Sequence, residues 1–335
     1  MKKHRVLVTV LAETRAHGLT FERFRACVLQ PLQADLALCV GNHSREERDN
    51  PFYRQAKYVL TMAEPADFGD YLAEIIARDF PERRVDYRKI FGFQNQFLGG
   101  IRASGHPGSA GILLCYRHFL AKSIQQAGLL DRYDRFLITR SDYLYLYPHP
   151  PAELLAPDTI YVPEGERYGG ITDRHAAVPG QFLLDFLDVW GSLFREFEST
   201  QRDFSGRTDW NLEKVLSWHL EKRGLLKKTR FFPYIFFTIR PPGGATQWSA
   251  GKFSPRYRGY VKYEEEFKRA VFFKKAFRLR RGWNREMFEK KYREPSEWTW
   301  KREFYGFWPR ILKNINSSWK RPAAPDSLSG KGSGR

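Results

Sequence analysis

Three polar residues, Arg140, Ser141 and Asp142, follow a strand-like segment without an intervening turn residue. The stretch RFLITRSDYLYLYP (135–148) begins with the apolar run FLI, which is typical of a strand buried on both faces. In open α/β sheets, ligands bind at the carboxyl ends of strands. A carboxylate there can ligate a divalent cation, which in turn holds a diphosphate. Alternatively, Asp142 caps a turn and pairs with Arg140 on the surface.

A glycine-rich segment, GERYGGITDRHAAVPG (165–180), carries a second set of reactive groups. Gly169 and Gly170 permit close approach of the backbone to a ligand, and Asp173 and His175 are titratable. Asp173 could accept a proton from a bound hydroxyl. Alternatively, it pairs with Arg174 or caps the helix that follows.

The surrounding segments predict an α/β fold with a mostly parallel sheet flanked by helices. Strand patterns with a helical stretch between them open the chain, and this β-α-β order favours parallel pairing. The predicted strands are 5–12, 34–41, 135–139, 158–163 and an aromatic strand within 230–244, and the predicted helices are 21–32, 109–128, 181–198 and 209–224. Ser109 is expected to cap the helix that precedes the RSD strand.

The charge of the chain is concentrated near its end. Of the net charge of +18 over 335 residues, residues 251–335 carry +14, from 23 Lys and Arg against 9 Asp and Glu, together with 18 aromatic residues. Residues 1–250 are nearly neutral at +4. We therefore expect an α/β domain over 1–250, a basic, aromatic-rich helical extension over 251–320 and a disordered tail over 321–335.

The cysteines and the apolar segments bear on the compartment. Cys27, Cys39 and Cys115 are irregularly spaced in apolar surroundings, which indicates buried thiols in a reducing environment. The opening MKKHRVLVTVLAETR has too short an apolar run for a signal peptide and is interpreted as the first strand. With no apolar segment long enough to cross a membrane, the sequence predicts a cytoplasmic protein.

The segments YDRFLITRSDYLYLYPHP and IYVPEGERYGGITDRHAAV together resemble GT-A glycosyltransferases, specifically a bacterial group that builds capsule, lipopolysaccharide and other surface glycans. The resemblance covers roughly residues 4–240. It implies a GT-A-like sheet and transfer of a sugar from a nucleotide-sugar donor to a surface-polysaccharide or lipid-linked glycan acceptor.

One feature departs from this family. Its usual acidic motif is Asp-x-Asp, and here Arg140 occupies the first position, leaving Asp142 alone. Asp142 could still hold Mn²⁺ or Mg²⁺ whose other ligands are diphosphate oxygens and water. Alternatively, Arg140 contacts the diphosphate through its planar guanidinium, and the metal is weak or absent.

The resemblance also implies roles for further residues. Asp173 is the expected catalytic base, with Glu213 as an alternative unless it is simply solvated on a helix face. Expected acceptor contacts are Tyr168, Gly169, Gly170, Arg174 and His175. Expected donor contacts are Arg15, Gln94, Asn95, Arg117, Arg140, Asp142 and Arg240.

The basic extension suits an anionic membrane surface, because aromatic rings settle at the headgroups while Lys and Arg meet acidic lipid. We therefore expect peripheral attachment to the inner membrane face through residues 251–320. No nucleic-acid-binding signature is present, and no nucleic-acid partner is expected. Alternatively, the aromatic residues pack back on the α/β domain.

Two other functions are candidates for the whole chain. One is a sugar nucleotidyltransferase, and the other is a non-enzymatic basic protein that binds nucleic acid or membrane.

Overall fold

The fold comes from a computed structural model, which describes residues 5–42, 49–81, 96–165, 167–244, 249–279 and 282–283. Its strands are β1 (Val6–Ala12), β2 (Asp35–Gly41), β3 (Tyr58–Met62), β4 (Arg135–Thr139), β5 (Tyr143–Tyr145), β6 (Ile160–Pro163), β7 (Ala176–Pro179), β8 (Thr229–Phe232), β9 (Phe236–Arg240), β10 (Lys252–Ser254) and β11 (Gly259–Val261). Gln94, Asn95 and residues 284–335, for which the sequence suggested roles, lie outside the described residues.

The helices are α1 (His17–Phe24), α2 (Gln30–Leu32), α3 (Pro51–Gln55), α4 (Phe68–Asp79), α5 (Ala110–Gln126), α6 (Gly180–Leu187), α7 (Val189–Arg195), α8 (Phe197–Phe204), α9 (Leu212–Lys222) and α10 (Glu264–Leu279). A π-helical turn, Arg25–Leu29, joins α1 to α2. Short 3₁₀ turns cover Gln96–Leu98, Arg102–Ser104, Ala152–Leu154 and Leu226–Lys228. Helices α4 to α9 share one apolar core with the large sheet, and α5 packs at its centre against α4, α6 and α7.

The described residues contain a seven-stranded sheet of order β3-β2-β1-β4-β7-β6-β8. Every pair is parallel except β4–β7 and β7–β6, so β7 alone runs against the others. The chain builds outward from β1 to β2 and β3 and then returns to place β4 on the other side of β1. The predicted α/β fold with a mostly parallel, helix-flanked sheet is therefore confirmed, with β1 and β4 at the point where strand order reverses.

A second, antiparallel sheet of order β10-β11-β9-β5 adjoins the first. Only residues 140–142 separate β4 in the first sheet from β5 in the second. Residues 252–261, predicted as part of a helical extension, instead form two strands that pair with β9 through β11. Helix is present in this extension over Glu264–Leu279, as α10. Strands from both sides of the boundary expected at residue 250 thus share one sheet.

The structure differs from three local predictions, which concern one helix, one strand and one helix cap. The single helix expected over 181–198 is broken into α6, α7 and α8, and Asp188 caps α7 by accepting a bond from the backbone of Gly191. The aromatic strand is divided between the two sheets as β8 and β9, on either side of Pro233. Helix α5 is present, but the Ser109 side chain makes no capping bond.

The three cysteines are buried and free, as expected. Burial raises the pKa of the Cys39 and Cys115 thiols well above the ordinary value, so both are held as unreactive thiols. No helix among the described residues combines the length and apolar character needed to span a bilayer.

Candidate functional site

The candidate site lies where the carboxyl ends of β1 and β4 meet. Ser141 donates from Oγ to the carbonyl of Glu13 at 2.8 Å, which ties the end of β4 to the end of β1. Thr20 of α1 donates from Oγ1 to the carbonyl of Ser141 at 2.6 Å. These bonds fix the backbone between Arg140 and Asp142 at the edge of the sheet.

Asp142 is the centre of this site, and its side chain is only 2% exposed. Arg140 donates to both carboxylate oxygens, at 3.0 Å from Nε and 2.9 Å from Nη2. Arg240, at the end of β9, also donates to Oδ2. Burial alone would raise the pKa of the Asp142 carboxyl, but Arg140 and Arg240 together lower it below its ordinary value.

This donor set does not fit a divalent cation. Both oxygens of the Asp142 carboxylate already accept hydrogen bonds from Arg140 or Arg240. A metal ion bound there would have to break these bonds and would still lie next to two positively charged guanidinium groups. The pairing expected as the alternative, between Arg140 and Asp142, is present, although the acid is buried and not on the surface. The metal role assigned to Asp142 is therefore disfavoured on the geometry of the charges around it.

Lys262, just after β11, adds a further cation to the site. Burial lowers its pKa to about 8, and repulsion from Arg140, Arg240 and Arg174 contributes in the same direction. Because neighbouring cations disfavour the charged form of this lysine, an anion that binds beside it stabilises that charged form. Lys262 was not expected from the sequence, because it reaches the site through the pairing of β11 with β9, which its local pattern does not predict.

Arg174 and Glu266 form a second buried ion pair on the same side of the molecule. Arg174 donates from Nη1 to Oε1 of Glu266, whose Oε2 accepts from the backbone of Thr238 at 3.3 Å. The guanidinium also lies 4.7 Å from the centre of the Tyr263 ring. Burial would lower the pKa of Arg174, but Glu266 holds it above its ordinary value. Arg174 was expected to contact an acceptor, but its guanidinium is ion-paired with Glu266 of α10.

Several buried polar atoms near these pairs have no hydrogen-bond partner among the described residues. They are Nη1 of Arg117, Oη of Tyr143, Oδ1 of Asp173 and Nε of Arg240. Native proteins rarely leave such atoms unsatisfied, so each calls for water or a ligand. Those of Arg240 and Tyr143 lie on residues of the site itself and leave it open hydrogen-bonding positions, while other such atoms among the described residues lie elsewhere, as at Thr9 of β1 and Trp190 of α7.

Arg117 positions the loop that carries Asp173. It is 2% exposed, and its Nη2 donates to the backbone carbonyl of Asp173 at 3.1 Å. Burial lowers its pKa to about 10. The Asp173 carboxylate itself lies 3.6 Å from Nε of Arg174 and is 9% exposed. The pairing of Asp173 with Arg174, one of the alternatives left open by the sequence, is therefore present. Arg117 holds the same loop through its hydrogen bond to the backbone carbonyl of Asp173.

The two glycines of the loop lie against helix α9, and Gly169 also lines an open cleft together with Trp210 and Lys214. A Cβ on Gly170 would lie 2.0 Å from the carbonyl oxygen of Glu213, and one on Gly169 would lie 2.9 Å from Cε of Lys214. The backbone of Ile171 donates to that same Glu213 carbonyl at 3.0 Å. Tyr168 stays 45% exposed. Glu213 is buried in the first turn of α9, contrary to the solvated alternative.

His175 lies in the core and is 1% exposed, which disfavours its predicted contact with an acceptor. Its Nε2 lies 3.3 Å from Nε2 of His149, and its Nδ1 lies 3.0 Å from Oγ1 of Thr139. Because Nδ1 of His149 donates to the Pro150 carbonyl at 2.8 Å, Nε2 of His149 must accept, and His175 donates to it as a neutral ring. Burial lowers the pKa of both histidines.

Two other charged groups lie at this edge. Arg15 donates to Glu13 and keeps a side chain 43% exposed; Arg140 and Asp142 both influence its pKa, which places it beside the site. Glu164 follows β6 directly, and burial raises its pKa to about 7. Glu164 was missed, although its place immediately after a strand is the same signal that identified Asp142.

The sequence matches no protein-family model, and no curated protein is significantly similar to it. The fold and the site together define an α/β protein with a mostly parallel sheet and a buried, arginine-rich cluster at the strand-order reversal.

Proposed function

We propose that this protein is a glycosyltransferase that moves a sugar from a nucleotide-sugar donor to a surface-polysaccharide or lipid-linked glycan acceptor. The observation that carries the proposal is the cluster of Arg140, Arg240 and Lys262 around Asp142, at the carboxyl ends of β1 and β4. This edge is where open α/β sheets bind nucleotides, and cations there suit a diphosphate.

The departing nucleoside diphosphate is stabilised by the guanidinium groups. Arg140 is the more accessible of the two, with 27% of its side chain exposed, whereas Arg240 is 4% exposed. Asp142 holds both in place before the ligand arrives, so the positive charge costs little reorganisation during the reaction. The proposed role of Asp142 is thus to position the arginines, and no step is assigned to a metal.

Asp173 is the proposed base. The acceptor hydroxyl gives its proton to the Asp173 carboxylate as its oxygen bonds to the anomeric carbon, and the bond from that carbon to the diphosphate breaks with its electron pair on the phosphate oxygen. Oδ1 of Asp173 accepts no hydrogen bond in the described part of the chain, and the nearby Arg174, 3.6 Å away at Nε, keeps this carboxylate beside a positive charge. Glu213 is the alternative base, although its carbonyl and helix position tie it to the 168–171 loop.

Peripheral attachment to the inner membrane face, on the cytoplasmic side, is proposed for residues 251–320. A lipid-linked acceptor would make such attachment useful. Within the described part of this segment, Phe267, Ala270 and Phe273 of α10 are buried, which favours inward packing for these apolar residues. The proposed lipid contact therefore rests on exposed Lys and Arg and on residues beyond 283.

The test combines ligand binding with metal removal. A thermal-shift screen of nucleotide sugars is run with wild type, Arg240→Met and the exposed control Arg202→Met, each with EDTA and with Mn²⁺. A ligand that binds the folded state raises the melting temperature by mass action. We expect a shift of equal size under both conditions for wild type and Arg202→Met, and loss of the shift in Arg240→Met.

Three outcomes would contradict parts of the proposal. No shift with any nucleotide sugar would remove the donor assignment. A shift that requires Mn²⁺ would restore the metal role of Asp142. Synthesis of a nucleotide sugar from a nucleoside triphosphate and a sugar phosphate, with release of pyrophosphate, would favour the nucleotidyltransferase alternative.

A further inference from the structure

Arg240 belongs to a row of side chains that runs out of the site across the second sheet. Arg240 on β9 is the direct partner of Tyr260 on β11, which in turn is the direct partner of Phe253 on β10. Directly opposite residues of antiparallel strands place their side chains on the same face. Tyr260 and Phe253 therefore share the face of the sheet from which Arg240 reaches Asp142.

The outer end of this row is an aromatic pair in which Phe253 is exposed and Tyr260 is half-buried. The Phe253 ring lies 5.3 Å from the Tyr260 ring, at an interplanar angle of 63°. Phe253 is 47% exposed, and Val59 and Tyr168 are the other large apolar side chains with comparable exposure in the described part of the chain. Neither of these belongs to the row that contains Arg240.

The charge around the pair favours an anionic ligand. Residues 252–262 contain Arg256, Arg258 and Lys262, whereas the charge of Lys252 is paired with Glu264 of α10. Toward the interior, the row leads to Arg240, whose Nε has no hydrogen-bond partner within the described residues. An aromatic surface at one end and cations at the other match a molecule with a flat ring at one end and phosphates at the other.

We propose that Phe253 and Tyr260 form a stacking platform for the base of a nucleoside diphosphate whose phosphates bind Arg240 and Arg140. This inference rests on the proposed donor site and names its base subsite. Phe253 is two strands from Arg240, a separation of about 10 Å, which is of the order of the span from base to diphosphate. An anionic membrane surface fits less well, because Arg240 is only 3% exposed and a flat surface cannot reach it.

The test separates the base from the phosphates. Binding of ADP, GDP, UDP and CDP, and of inorganic pyrophosphate, is measured by calorimetry for wild type, Phe253→Ala, Phe253→Trp and the matched control Val59→Ala. Base stacking on an aromatic side chain changes affinity by about 5-fold to 100-fold. We expect that loss for the best nucleoside diphosphate in Phe253→Ala, unchanged pyrophosphate binding, and retained affinity in Phe253→Trp and Val59→Ala.

The outcomes distinguish this inference from the donor assignment itself. Wild type that binds no nucleoside diphosphate overturns both. Nucleoside diphosphate binding that is unaffected in Phe253→Ala, or reduced to the same extent as pyrophosphate binding, overturns the platform alone. Loss in Phe253→Ala of binding to phosphatidylserine vesicles, with nucleotide affinity intact, would assign the aromatic pair to a membrane instead.

Discussion

At the scale of single residues, the site is defined by an imbalance of charge. Arg140, Arg240 and Lys262 surround one carboxylate, Asp142, which two of them already bond. Breaking a buried pair of this kind by removing one partner is costly, because the other is left uncompensated. The cluster is therefore stable as built and still carries net positive charge for a ligand.

Lys262 gives a pH-dependent prediction for anion binding. Its pKa of about 8 lies below the ordinary lysine value, so the lysine loses its charge as pH rises through 8, and the attraction for a phosphate falls with it. We expect the affinity for pyrophosphate, measured by calorimetry, to fall between pH 7.5 and 9.5 by about tenfold more in wild type than in Lys262→Arg.

The exposed substitution Lys227→Arg is the matched control and should behave as wild type. Because the pyrophosphate itself titrates in the same range, the comparison with Lys262→Arg isolates the lysine. Identical pH profiles for wild type and Lys262→Arg would show that Lys262 does not meet the anion.

Part of the site could be predicted from the sequence and part could not. Arg140 and Asp142 were identified because they directly follow a buried strand, and Arg240 because it ends one. The pairing of Arg240 with Asp142 spans 98 residues, and that of Arg174 with Glu266 spans 92, so neither leaves a local signal. The burial of His175 likewise leaves no local signal, since its partner His149 lies 26 residues earlier in the chain.

At the scale of elements, the loop before β7 is held from two sides. Because β7 runs against its neighbours, its first residue lies at the edge where the other strands end, so residues 173–175 reach the site from the amino end of a strand. Arg117 of α5 bonds the carbonyl of Asp173, and α9 packs against Gly170. The loop's position therefore depends on the contact with α9.

Gly170→Ala tests that dependence. The added Cβ would meet the carbonyl of Glu213, so the loop must move away from α9; we expect a loss of roughly 1–3 kcal/mol in the free energy of unfolding and reduced transfer activity. Chemical denaturation and an activity assay measure the two effects. Gly18→Ala is the control, because nothing lies within 4 Å of its Cβ position.

Unchanged stability in Gly170→Ala would mean that the contact with α9 does not hold the loop. Lower stability with full activity would mean that the loop has no part in the reaction, which would also weaken the assignment of Asp173.

The strands differ in how far sequence could predict them. β1, β2 and β4 are continuous apolar runs, the signal of strands buried on both faces, and were expected. β10 and β11 have three residues each and contain Lys252 and Gly259, so their strand character comes from pairing with each other and, for β11, with β9, and not from composition. The break between β8 and β9 could have been expected at Pro233, since proline removes a ladder donor.

At the scale of the whole molecule, buried neutral histidines couple stability to pH. Burial lowers the pKa of His149 to about 4 and that of His219 to about 3, and also lowers that of His175. These groups bind protons in the unfolded chain at a pH where the folded chain does not. Their contribution to stability is therefore complete above about pH 6.5 and is lost as the pH falls.

We expect the free energy of unfolding to fall between pH 7 and pH 5, on the order of 1–2 kcal/mol for each such histidine. Urea denaturation at pH 7, 6 and 5 measures it. His219→Gln should have a smaller slope over this range than wild type, and the partly exposed His106→Gln is the control. A slope that is the same in wild type and His219→Gln would contradict the assignment.

The second sheet determines where the chain can be shortened without loss of stability. A chain that ends at residue 250 would lack β10, β11 and α10, leaving the buried Arg174 without Glu266, at a cost of roughly 3 kcal/mol or more. A chain that ends at residue 283 keeps this pair and the bond from Nε1 of Trp283 to the Pro148 carbonyl at 2.9 Å. We expect the melting temperature to drop in the first chain and to be retained in the second.

The shortened chain also tests membrane attachment, by flotation with phosphatidylserine vesicles. If residues beyond 283 supply the lipid contact, the full chain should float and the chain that ends at 283 should float less. Equal flotation of the two would remove residues 284–320 from the proposed contact, and absence of flotation in both would remove the membrane partner.

Residues 140–142 are also the covalent junction between the two sheets, since β4 ends at Thr139 and β5 begins at Tyr143. A ligand held by Arg140 of this junction and by Arg240 of β9 would bridge it, joining the end of the large sheet to a strand of the small one. The site is thus a mechanical joint as well as a charged one. A bound ligand would stiffen the connection between the sheets, so that the small sheet would unfold only when the large one does.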